Sequence, residues 1–239
     1  MTLQAPFIAT PLRSHIAEGL DLLTEQSRKK LTESDKKLGA QLLADAYCDM
    51  LDNCLFDLLR EVHRNHPSSE LKEALDSADG VKEKIHSCLS WVVGFFSSER
   101  LAPVIAHFNE LARELDLHEQ RQFFIAFNLK SEIASDASRV LDSLSDSTAR
   151  NAVEGVELLL QVIEDALEPL VHKPKQLMKF NFVVNKTLDG VISLVMTLIR
   201  RTLRKLAPQL PRQAFPLVAL HLGRFLILSN SGDFSLKSA

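Results

Sequence analysis

Apolar residues return at intervals of three and four along nearly the whole chain, the spacing that gathers them on one face of an α-helix. Runs that alternate apolar and polar positions between turn residues, the mark of a half-buried strand, are almost absent. The pattern predicts an all-α fold: an antiparallel up-and-down helical bundle of about seven or eight helices.

Helix boundaries follow from capping residues and breakers. A first helix starts at Ser14, after Pro11, with Ile16, Leu20 and Leu23 inward. Thr32 opens a second, and Asp35 three residues on gives an approximate capping box. Its apolar stripe, from Leu38 through Tyr47, Met50, Leu51, Cys54 and Leu58 to Val62, ends before Pro67. A third begins near Ser69 and shows Leu71, Leu75, Val81, Ile85, Leu89, Val92 and Phe96 on one face, with a kink expected at Gly80. Ser98 caps a fourth, in which Pro103 lies near the tolerant first turn. A fifth covers about 118–144. A sixth opens at Ser147 or Thr148 and stops before Pro174. A seventh covers about 174–206, and an eighth runs to about 228 after Pro208 and Pro211.

The links are short, which favours antiparallel neighbours. No Gly/Ser-rich linker divides the chain, so residues 1–228 read as one domain, followed by a polar tail, 229–239, expected to fray. Gly80, Gly155 and Gly190 each stand between an acid and a valine. Glycine inside a helix costs about 1 kcal/mol against alanine, so each reads as a point of close helix approach.

Composition changes this picture little. The 239 residues are 46% apolar and 25% charged, an ordinary globular balance. A chain of this size folds without disulfide or metal. The N-terminal stretch lacks the apolar run of a signal peptide. The most apolar windows, 183–199 and 215–228, are interrupted by Asn185, Lys186 and Asp189 or by His221 and Arg224. They fall short of the ~20 apolar residues of a membrane span, so no transmembrane segment is expected. Cys48, Cys54 and Cys88 sit in helical patterns and read as buried reduced thiols, which points to a cytoplasmic location.

Charge is more informative. Residues 171–239 hold eleven Lys and Arg against two Asp, a net of about +9; the remainder is about −12. The basic helices either neutralise acidic neighbours, face a partner (an anionic one, nucleic acid or a phospholipid surface, or a protein), or line a pocket for an anionic small molecule. Lys179, Lys186 and Arg200 fall on a seven-residue grid with Ser193, and Arg200, Arg201, Arg204 and Lys205 cluster at a helix end. Lys179, Lys186, Arg200, Arg201, Arg204 and Lys205 are the candidate binding residues. Nucleic acid is unsupported: Trp91 and Tyr47, the one Trp and the one Tyr, lie far from the basic region, and no reading-helix motif accompanies it.

Catalytic and metal motifs do not assemble. Glu83 and His86 form one Glu-x-x-His where a di-iron bundle needs two. His63 and His66 sit near a helix end, where the helix dipole favours them in any case. Asp45, Asp49 and Asp52 share a helix face without an Asp-Asp-x-x-Asp motif, and read as a solvated acidic stripe. Phosphate loops, dinucleotide fingerprints and nucleophile elbows are missing from the sequence. The expectation is therefore a non-enzymatic interaction or regulatory protein, without cofactor or metal, working through its basic C-terminal helices. The alternative is a carrier or sensor enclosing an apolar ligand with an anionic head group, its cavity walled by the seventh and eighth helices and the basic cluster holding the head. The phenylalanines Phe95, Phe96, Phe108, Phe123, Phe124 and Phe127 would share that interior.

Overall fold

The computed structural model describes residues 3–93, 97–117, 120–146 and 152–228. Within them the chain is mostly helical, with ten α-helical segments that two π-helical turns join into eight continuous helices, but it also contains a four-stranded antiparallel sheet. A pure all-α fold is thereby corrected to helices packed on a sheet. Residues 229–239, Ser147, Thr148, Phe95 and Phe96 lie outside the described residues.

The sheet joins β1 (Phe7–Pro11), β2 (Ala112–Leu117), β3 (Gln120–Asn128) and β4 (Leu226–Ile227) in the order β2-β3-β1-β4. β2 and β3 form a hairpin in which Ala112 faces Ile125 and Leu117 faces Gln120. Residues 120–128, expected within the fifth helix, are a strand of this hairpin instead; His118, where that helix was expected to open, lies outside the described residues. The reason is visible in the side chains. Ile125 and Phe127 enter the large core beneath the helices, while Phe124 and Ala126 join Phe7, Ala9, Leu115 and Leu117 in a small cluster on the opposite face. A strand buried on both faces reads as an unbroken apolar run, with no alternation to reveal it. The fifth helix shrinks to α6 (Ser131–Ser145).

Elsewhere the first four helix starts fall where expected, but Ser14 and Ser98 are first helical residues rather than caps: Arg13 and Ser97 precede them, without a side-chain cap bond. α1 is Ser14–Ser27 and α2 is Glu33–Leu51. Thr32 Oγ1 accepts from the Asp35 backbone N–H at 3.2 Å, and Asp35 accepts from the Thr32 N–H at 2.7 Å, completing the capping box. A π-helical turn, Asp52–Phe56, joins α2 to α3 (Asp57–Asn65). α4 (Ser69–Val93) is continuous through Gly80, and Ser68 Oγ accepts from the Leu71 N–H at its start. α5 is Ser98–Leu111.

α7 (Val153–Leu167) does not stop before Pro174. A second π-helical turn, Glu168–His172, carries it into α8 (Lys173–Met178). The chain breaks instead at Lys179, whose φ of 48° is left-handed, and α9 (Phe182–Leu206) then opens on an Asn181 cap. α10 is Phe215–Phe225. Lys179 therefore lies outside α9 and off the stripe that Lys186, Ser193 and Arg200 share.

One apolar cluster extends from Ile8 on β1 to Leu226 on β4 and takes residues from every helix. Of the three glycines expected at close helix contacts, only Gly155 has one: a Cβ there would meet Leu144 Cδ1 at 2.8 Å. Gly80 and Gly190 have open space around them.

Candidate functional site: an apolar cavity beneath α9

The core is not filled everywhere. A cavity of about 260 Å³ lies between the sheet, α2, α4, α7 and α9. Its floor is Ile8, Thr10, Phe127 and Phe225; one side is Tyr47, Met50 and Leu51 of α2, and another is Ile85, Cys88, Leu89 and Val92 of α4. α7 and the turn after it contribute Leu159, Val162, Ala166 and Leu170, and α9 roofs the space with Leu188, Val191, Ile192, Val195 and Ile199. α10, expected as a cavity wall, supplies Phe225 alone and packs chiefly on α6.

Both π-helical turns border this space, through Cys54 in the first and Leu170 and Val171 in the second. A π turn passes each hydrogen bond one residue further on, so a carbonyl is freed from the ladder. Side chains from elsewhere take up these carbonyls. The Tyr47 hydroxyl donates to the Leu170 carbonyl, and His107 Nε2 donates to the Pro169 carbonyl at 2.7 Å. His221 Nε2 lies 3.2 Å from the Cys54 carbonyl, and since a carbonyl only accepts, that nitrogen carries the proton. The carbonyls freed at both turns thus find their partners within the protein.

Few polar groups remain inside. Burial pushes the pKa of the Cys54 thiol up to about 12 and raises those of the Cys88 thiol and the Tyr47 hydroxyl too, so all three stay uncharged near neutrality. All three cysteines are free. Thr10, only 2% exposed, has a hydroxyl with no hydrogen-bond partner. Lys175 of α8 is the one cation among the lining residues; its largely covered ammonium pairs with Asp189 of α9. This partner also holds the Asp189 carboxyl below its ordinary value.

The basic candidates divide into two sets. Arg200 reaches Glu164 at 2.8 Å and Arg204 reaches Glu157 at 2.8 Å, both on α7. Lys205 reaches Glu73 of α4 at 3.1 Å. These three tie α9 to its neighbours. Lys179, Lys186 and Arg201 make no ion pair among the described residues. None of the six lines the cavity.

The acidic stripe on α2 is likewise covered. Asp49 pairs with Arg13, Asp52 with Arg60 and Lys82, and Asp45 lies 3.5 Å from His86. Among the described residues, no three His, Cys, Asp or Glu side chains converge as a metal site would require. Sequence reasoning missed Lys175 and Thr10. Lys175 was one cation among eleven, and Thr10 sat in a strand that the helical pattern did not predict.

By length and composition, one described helix, Phe182–Gln209, could cross a membrane, although Lys186 and Asp189 interrupt its apolar stretch. Only 22% of that stretch is buried. Comparison with protein-family models, curated proteins and solved structures finds no match to this chain.

Proposed function

We propose that the protein is a non-enzymatic cytoplasmic carrier or sensor that encloses an apolar ligand with an anionic head group in the cavity beneath α9. The observation that carries this reading is the cavity's size together with its almost wholly apolar walls. Its 260 Å³ exceeds the ~150 Å³ apolar cavity that stays dry and takes up benzene, and approaches the ~300 Å³ lower bound of small-molecule sites. A ligand that fills the cavity takes this apolar surface out of water and gives it packing partners.

Two polar groups give the ligand its chemistry. Lys175 offers a charge-assisted bond to a carboxylate or phosphate that replaces Asp189. The Thr10 hydroxyl, buried and unpartnered, offers one hydrogen bond at the floor. Leaving such a group unmatched costs about 1–3 kcal/mol, so a ligand hydroxyl or carbonyl there is favoured. The free thiols agree with a reducing compartment. An interaction role for the whole basic cluster has less support, because Arg200, Arg204 and Lys205 are already held by acids of this chain.

The test is uptake of cis-parinaric acid, a fluorescent fatty acid, by protein stripped of bound lipid. Saturable uptake of one molecule per chain is expected. Ala166→Phe, which fills the cavity from α7, should abolish it. Lys175→Gln should weaken it by about tenfold while leaving uptake of the uncharged probe diphenylhexatriene unchanged. Absence of uptake, or uptake indifferent to Ala166→Phe, would refute the reading.

A further inference from the structure

The helix that roofs the cavity turns a second face to solvent. Val183, Thr187, Gly190, Leu194 and Leu198 follow one another at three- and four-residue steps, so they lie along one side of α9. This side is exposed: Val183 by 69% and Leu194 by 58%, with Phe182 at the helix start exposed by 74%. Single exposed apolar side chains are ordinary, but several aligned along one helix make a patch that calls for a partner.

The charges within the patch are positive. Lys186 stands within it, its ammonium 5.6 Å from the centre of the Phe182 ring, and Arg201 closes the far end. Neither makes an ion pair among the described residues. Asp189 is the one acid of α9; it lies at the edge of this face and is tied to Lys175. The acids of neighbouring helices nearest the C-terminal half, Glu164, Glu157 and Glu73, are taken by Arg200, Arg204 and Lys205.

We propose that this outer face of α9 docks on an anionic phospholipid bilayer. Phe182, Val183, Leu194 and Leu198 enter the boundary between headgroups and acyl chains, and Lys186 and Arg201 meet lipid phosphates. The helix lies on the surface and does not span it, because its inner face is held by α4 and α7. Charge selects a lipid surface over a second copy of the chain. Antiparallel pairing of two α9 helices about Ser193 and Leu194 sets Lys186 of one beside Arg201 of the other, and parallel pairing sets each cation against itself. An anionic surface meets both cations favourably at once.

The docking face and the cavity wall are opposite sides of α9, so the two readings fail separately. The experiment is co-sedimentation with vesicles of phosphatidylcholine alone and of phosphatidylcholine mixed equally with phosphatidylglycerol. The protein should pellet with the mixed vesicles, less so as salt is raised, and stay in solution with phosphatidylcholine. Val183→Glu with Leu194→Glu should weaken binding at least about tenfold, and Lys186→Glu or Arg201→Glu about fivefold each. Leu220→Glu, at an exposed apolar position on α10, should bind as the unaltered chain does. Circular dichroism and cis-parinaric acid uptake should be the same for all of these variants, since the altered side chains are exposed. Failure to pellet with mixed vesicles, or full binding by the Val183→Glu, Leu194→Glu variant, would overturn the proposal. So would a dimer of the unaltered chain that Leu194→Glu dissociates, which would assign the face to a second copy.

Discussion

Helices α5 and α9 are both rich in apolar residues, yet they place them differently. α5 lies against α1, α8 and the sheet, and its Leu101, Val104, Ile105 and Phe108 are fully enclosed. α9, far longer, encloses only Val184, Leu188, Met196, Ile199, Leu203 and Leu206. Its other apolar side chains line a space or face outward. Hydrophobicity in α5 supplies contact between protein atoms. In α9 much of it supplies a surface for something that is not part of the chain. Ion pairs with Glu164, Glu157 and Glu73 then hold α9 where packing alone is thin.

The largest expected contrast is in stability. Phe108→Ala removes a ring that packs edge-on against Tyr47 and should cost about 3–5 kcal/mol in urea unfolding. Ile192→Ala, on the cavity roof, should cost only about 1–2 kcal/mol, because a side chain facing a void already lacks partners on that side. Equal costs would mean that the roof is packed as tightly as α5.

The pH dependence sharpens the comparison at the turn bordering the cavity. Burial lowers the pKa of His221 below 6.5, opposed by its bond to the Cys54 carbonyl and by Asp57 and Glu61, and reinforced by Arg224. The unfolded chain therefore takes up this proton first. The stability that neutral His221 contributes is complete above about pH 6.5 and falls as pH drops through its lowered folded value. His221→Gln keeps a donor for the Cys54 carbonyl and should flatten the stability profile below about pH 6.5. An unchanged profile would mean that His221 does not titrate differently on folding.

The smallest effect concerns glycine. Gly190→Ala, on the open face of α9, should stabilise the protein by about 0.5–1 kcal/mol in thermal unfolding, since nothing approaches the new methyl group. Gly155→Ala should bring no such gain, because the methyl group would press on Leu144 where α7 meets α6. A gain at both positions would mean that the α6–α7 contact yields as easily as open solvent.

The sequence carried the helices well where a cap or a breaker marked them: the Thr32 and Asp35 box, and the stop before Pro67. It misled at Pro174, because a π-helical turn carries the chain past a residue that normally ends a helix. It hid the hairpin, because Phe124 and Phe127 are buried on opposite faces of one strand. The cavity was legible only as an alternative. Helical periodicity distinguishes inward from outward positions, but Val195 facing a void and Leu101 facing a packed neighbour have the same signature. The charge asymmetry was legible as a sum, while the pairing of Arg200, Arg204 and Lys205 depends on which helices lie alongside α9. Lys175 and Thr10 carried no signal, since neither residue belongs to a motif.

The measurement that bears most directly on the cavity's role is native mass spectrometry of the purified protein beside its denatured mass. A retained ligand predicts excess mass in the native spectrum, absent after denaturation and absent from the native spectrum of Ala166→Phe. Native masses that are integer multiples of the bare chain, from protein that also fails to take up cis-parinaric acid, would contradict a ligand-enclosing role.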